Sequence, residues 1–169
     1  KHFRPYPSLW VSICNILDLM TLAVTKIHDQ VVMDKVSSYL MESGFRPELK
    51  ENQLVLTGVG FADKSVNLDI QLLEIDGHRV LEFSSEISDT DSSFERVSLA
   101  VVRGNAQCHI ARFLPIETQA DHDRRFRVIA TCHVYADYFS REEISSMTYL
   151  FVKEVDEVDN ELRSILSGQ

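Results

Sequence analysis

The sequence predicts an α+β domain, one twisted antiparallel sheet with helices packed mainly on one face, in the order α-β-β-β-β-α-β-β-α. Three observations lead there. Between residues 45 and 87 apolar side chains alternate with polar ones, the period-two pattern of a strand with one buried face. Asp76-Gly77 lies between two such runs and supplies the positive φ angles that a tight hairpin demands. From Ser140 to Gly168 the apolar residues recur every three or four positions, which lines one stripe of a long helix.

At the start of the chain, Lys1 and Arg4 precede an apolar stretch from Leu9 to Val24, a faint likeness to a signal peptide. Asn15 and Asp18 interrupt it, it is short for a bilayer span, and no small-residue cleavage pattern follows. Leu9, Ile13, Ile16, Leu17 and Met20 fall at helical spacing, so a helix with one apolar stripe is the plainer expectation. The division expected is an extension over 1–32, partly helical, and a single domain over 33–169, with Met33 opening the patterned part.

A first helix is expected over about 29–43, from Val32, Val36, Tyr39 and Leu40, stopped by Gly44. The meander follows: Leu54 and Leu56, then Val66, Leu68, Ile70 and Leu72, then Val80 to Phe83 beyond the hairpin turn. Gly58 and Gly60 carry no phosphate-loop spacing and mark a bulge within a strand. Ser92 and Glu95 match a capping box opening a second helix, with Phe94, Val97, Val101 and Val102 as its apolar positions and Gly104-Asn105 as its stop. Strands over about 108–117 and 125–136 come next, joined by a charged turn. Ser140 and Glu143 form another capping box, and Ile144, Met147, Phe151, Val155, Val158, Leu162 and Ile165 give the last helix its stripe.

Composition narrows the function. The 169 residues are 44% hydrophobic and 25% charged, the balance of one globular domain. With 26 acidic against 17 basic residues the formal charge is -9, which repels phosphate backbones and anionic bilayers, so neither nucleic acid nor membrane is an expected partner. Three cysteines, Cys14, Cys108 and Cys132, make no disulfide framework, and a reducing, cytoplasmic setting is expected.

Cys108-His109 and Cys132-His133 are a zinc-like set in composition. On the arms of one hairpin, however, each Cys would point away from its neighbouring His, so the four cannot converge and no metal is expected. Asp121-His122-Asp123 reads as a turn, no nucleophile elbow is present, and the paired carboxylates sit at helix starts. Neither catalytic residues nor a cofactor are expected.

The element order, together with Val36 to Phe45 as opening helix and turn, Val66 to Ile70 as a central strand, Val101 to Asn105 and Ile144 to Leu150, resembles the YbjN-like family. The fold of that family is similar to that of type III secretion chaperones, and the likeness covers about 30–167, with a fainter one to cyanobacterial and plastid members. The resemblance implies a non-catalytic, chaperone-like or regulatory homodimer that binds a protein or peptide segment, in an apolar groove or by adding a strand at a sheet edge. Phe94, Val97, Val101, Ile129 and Tyr135 are the expected partner surface. A small-molecule or nucleotide sensor is the alternative, and a hydrolase using His109 or His133 a more distant one.

Overall fold

A computed structural model of the chain describes residues 28–59, 65–87, 92–119 and 124–168. The helix expected on Leu9 to Met20, the leader-like stretch and the Asp121-His122-Asp123 turn lie outside the described residues.

Helix α1 covers residues 28–42. It ends as its glycine foretells: Gly44 has φ 90°, its N–H bonds to Met41 O, and Phe45 N–H reaches back to Leu40 O. That paired closure satisfies two last-turn carbonyls, and only a residue at home in the left-handed region completes it without strain. Val32, Met33, Val36 and Leu40 enter the core. Asp29 is tied to Arg79 at 2.8 Å.

Six strands follow: β1 (Glu48–Lys50), β2 (Gln53–Val59), β3 (Val66–Ile75), β4 (His78–Glu86), β5 (Arg112–Gln119) and β6 (Arg124–Tyr135). They form one antiparallel sheet in the order β1-β2-β3-β4-β6-β5. The first four make the expected meander. Asp76 (φ 52°) and Gly77 (φ 76°) turn β3 into β4 with Ile75 opposite His78. Between Leu56 and Val59 the pairing slips, and Gly58 at φ 66° makes the bulge.

Helix α2 (Phe94–Gln107) carries the chain across, so that β6 takes the inner place beside β4 and β5 becomes the edge. Helix α3 (Arg141–Ser167) closes the chain. Ser140 accepts from Glu143 N–H while the Glu143 carboxylate accepts from Ser140 N–H, the reciprocal cap the sequence predicts, and Gly168 ends the helix at φ 75°. All three helices feed one core with Leu54, Leu56, Leu68, Ile70, Leu81, Phe83, Phe113, Val128 and Ala130 of the sheet. Among the described residues no helix is long and apolar enough to cross a membrane.

Three expectations are corrected. Ser92 does not cap α2: the residue before the helix is Ser93, which makes no side-chain cap bond. Ser92 instead forms a bridge with Phe126, and its buried hydroxyl donates to Leu166 O at the end of α3. Nor does Gly104-Asn105 stop α2, which runs on to Gln107. The glycine is there for packing, because a Cβ at Gly104 would lie 2.6 Å from Phe113 Cδ2. Lastly, Cys108 and His109 are not on a strand. Cys108 is the residue that follows α2, and β5 begins only at Arg112. The Glu154 carboxylate of α3 gathers the N–H groups of His109, Ile110 and Ala111 at 3.0, 2.8 and 2.9 Å, which keeps that stretch out of the ladder.

Candidate functional site

The register divides every strand between two faces. One row across the sheet pairs Leu56 with Leu68, the next Leu54 with Ile70, Ile70 with Phe83 and Phe83 with Cys132; these side chains lie under the helices. The alternate rows lie on the other face, which no described helix covers. There Asp69 stands opposite Ser84, Ser84 opposite Thr131 and Thr131 opposite Arg112. Beside that row Gln71 donates to Glu82 at 2.8 Å, and Glu82 also holds His133 Nε2 at 3.0 Å.

Apolar groups flank this polar band on both sides. Toward β5 stand Leu114 (47% exposed) and Ile116 (44%), with half-buried Ile129 opposite Leu114. Toward the β3–β4 turn stand Tyr135 (65%) and Ile75 (41%), and His78 meets the Tyr135 ring edge-on at 6.0 Å. Apolar side chains exposed in rows on a flat face are a different matter from scattered ones, since a partner can cover them together.

Strand edges are the other place where a segment could dock, and both are blunted. Ile87 N–H bonds to Val128 O, so the backbone groups of Val128 face β4 and those of its β5 partner Pro115 face outward. Proline has no N–H to offer there, and an outward-facing position on an edge strand is one that it tolerates. Two residues earlier, Asn105 of α2 plays the part of a neighbouring strand: its Oδ1 accepts from Phe113 N–H at 2.8 Å and its Nδ2 donates to Phe113 O at 3.0 Å. On the far side, β1 is three residues long, with Lys50 and Glu48 paired at 3.6 Å.

Of the residues expected to form a partner surface, the structure brings Ile129 and Tyr135 to the open face. Phe94, Val97 and Val101 belong to α2 under the opposite face. Val97 is fully buried, Val101 half-buried, and the exposed Phe94 packs on Phe126 at 5.3 Å. The five therefore do not make one surface. Leu114, Ile116, Asp69 and Ser84, which share the open face, are not among the residues the sequence singles out. A signal for the first two exists: in Phe113-Leu114-Pro115-Ile116 both alternations are apolar, so one pair must face away from the helices.

The cysteine–histidine pairs are scattered. Cys132 faces the helices while His133, its neighbour, is on the open face with Glu82, and His109 is exposed on the loop before β5. Among the described residues no group of three or more His, Cys, Asp or Glu side chains could hold a metal ion. Burial pushes the Cys108 thiol up to about 11 and the Cys132 thiol to about 12, with Glu154 adding to both. Asp69 is raised from the ordinary range by burial, with Lys50 pulling the other way.

No family model matches the chain, and no curated protein does. Among solved structures the chain is similar to YbjN of E. coli, a candidate transcription regulator: the TM-score is 0.54 at 13% identity, over 78% of this chain and 91% of that one. At that identity the likeness is one of fold, and it fits the α+β architecture with a six-stranded antiparallel sheet.

Proposed function

We propose that this chain is a non-catalytic module that binds a protein segment across the open face of its sheet. The observation that carries the reading is the pairing of an apolar-flanked face, which no described helix covers, with two blunted edges, which moves docking from the edge to the face. Thiols held protonated far above neutral pH are poor nucleophiles, which supports a surface and not a reactive centre.

The YbjN likeness suggests a regulatory setting, and a chain of formal charge -9 would exert it through protein contacts and not on DNA. A homodimer is part of the proposal. Leu99 and Val102 are exposed three residues apart on the outer side of α2, away from the open face, so two copies could pair there and keep both faces free.

The test compares the native chain with Ile116→Glu and Tyr135→Glu, two charges placed on exposed positions of the open face, in affinity capture followed by cross-link mapping. The expected outcome is a partner cross-linked to β4, β5 or β6 residues of that face and lost from both variants. Cross-links confined to the helical side, or capture unchanged in both variants, would refute the reading. Light scattering on the native chain and on Val102→Glu tests the dimer.

A further inference from the structure

The open face is more apolar than a sheet side turned to water alone. A solvated face gives clean alternation of apolar and polar residues along each strand. Yet β6 runs Val128-Ile129-Ala130 and β4 runs Val80-Leu81, with apolar side chains on both sides of the sheet. Val55, Ser84 and Thr131, which share one row across the sheet, and Val80 are between 4% and 8% exposed, although no described helix lies over them. The polar side chains next to that row serve one another, since Glu82 accepts from Gln71 and holds His133, so an apolar cover leaves that trio its hydrogen bonds.

The chain itself holds a segment of matching character. Leu9, Ile13, Ile16, Leu17 and Met20 fall at helical spacing within residues 1–27, outside the described residues. The point where that segment joins the domain is fixed. Helix α1 begins at residue 28, and Asp29 is tied to Arg79 at 2.8 Å, beside His78 and the Asp76-Gly77 turn. At this same end of the sheet, on the open face, Ile75, His78, Val80, His133 and Tyr135 line a groove of about 280 Å³. Residues 21–27 reach at most about 23–25 Å when extended, against about 20 Å for two layer spacings of about 10 Å, one on each side of the sheet. From Leu9 to Met20 the stripe is about 18 Å long as a helix. Tyr135 and Ile129, on β6, are about 20 Å apart at about 3.3 Å per residue. Tether and stripe both fit. Charge agrees, because residues 1–27 carry three basic side chains and one acidic, a net +2, which leaves -11 on the rest of a chain whose total is -9.

We propose that residues 9–20 of this same chain lie along β4 and β6 on the open face, apolar stripe inward, and that a partner segment docks by displacing them. The inference rests on the docking face above and adds its resident occupant and its regulation. A face held by a tethered competitor binds a partner more weakly, in proportion to the fraction of molecules in which it is free.

The test uses the full native chain. Cys108 and Cys132 are buried, with thiols at about 11 and about 12, so a nitroxide reagent at neutral pH labels Cys14, which lies off the stripe. In isotope-labelled protein the nitroxide should broaden the amides of Val80, Thr131 and His133 and spare those of Leu99 and Val102 on the outer side of α2. Ile16→Glu should abolish that broadening and raise several-fold the capture of a partner that cross-links to the open face. Trp10, the single tryptophan, gives a readout without a label: its emission should be blue-shifted in the native chain and move to the red in Ile16→Glu and Tyr135→Glu. Broadening confined to the helical side, no broadening, or equal broadening when the spin label and the isotope label are on separate copies, which marks a second copy as the occupant, overturns the proposal. A Trp10 emission unchanged in both variants does the same. Capture lost in Ile116→Glu and Tyr135→Glu without broadening from Cys14 rejects the resident segment alone. Broadening of the open face with capture unchanged in those two variants rejects the partner reading alone.

Discussion

Replacing Gly104 by alanine sets two effects of opposite sign against each other. Inside α2 a glycine is less favourable than alanine by about 1 kcal/mol, so propensity alone forecasts a more stable protein. Geometry says otherwise. The new methyl would sit 2.6, 2.7 and 3.0 Å from three atoms of the Phe113 ring, and Phe113 is fully buried beneath α2. Overpacking a filled core costs about 1–3 kcal/mol, and three sub-contact distances to a fixed ring place this case toward the top of that range. The net expectation is a loss of about 2 kcal/mol, or roughly 4–8 °C in Tm for a chain of this length. Urea melts of the native chain, Gly104→Ala, Phe113→Leu and the double variant supply the check. In the Phe113→Leu background the same Gly104→Ala change should become neutral or stabilising, because the clash has gone and the propensity gain remains. A Gly104→Ala protein as stable as the native one, or a penalty unchanged by Phe113→Leu, would refute the packing account.

Glu154 is a second point of leverage. Burial alone would raise its pKa, but the three backbone N–H bonds and nearby His109 outweigh that and hold it below the usual carboxylate value. A depressed folded-state pKa means stability present above the unfolded value, about 4.3, and lost as pH falls through the folded one. Glu154→Gln should therefore cost about 2–3 kcal/mol at neutral pH, and melts below pH 4 should show the gap to the native chain narrowing. The buried thiols yield a kinetic prediction: in a Cys14→Ser background, Cys108 and Cys132 should resist thiol reagents at pH 8 until the protein is unfolded. Asn105→Ala should cost about 1–2 kcal/mol by orphaning both backbone groups of Phe113, and light scattering should show concentration-dependent association through the uncovered β5 edge.

Where a local pattern had one physical meaning, the sequence was legible. The Ser140 to Gly168 helix, the Asp76-Gly77 turn and the Gly44 stop each rest on interactions within a few residues, and each stands as expected. Signals went astray where a distant residue competes for the same atoms. Ser92 and Glu95 have capping-box spacing, yet Phe126 and Leu166 claim Ser92. Gly104 looks like a terminator, yet Phe113, nine residues on and reached only by folding, explains it. The candidate surface suffered most. Apolar positions on α2 and β6 were grouped as one patch, and only the register reveals that Ile129 and Tyr135 face away from Val97 and Val101.

That separation bears on how the fold is put to use. A sheet with helices on one side leaves an exposed face and two edges, and an edge is the stickier option because every free N–H and C=O invites a strand. Here Pro115 removes a donor, Asn105 occupies the pair beside it, and β1 is cut to three residues. Each device acts at the edge and leaves the apolar side chains of the face in place: Leu114 and Ile116 stay exposed on the very strand whose backbone is closed. The proposed docking across this face requires that arrangement, side-chain recognition with backbone pairing held down at the edges.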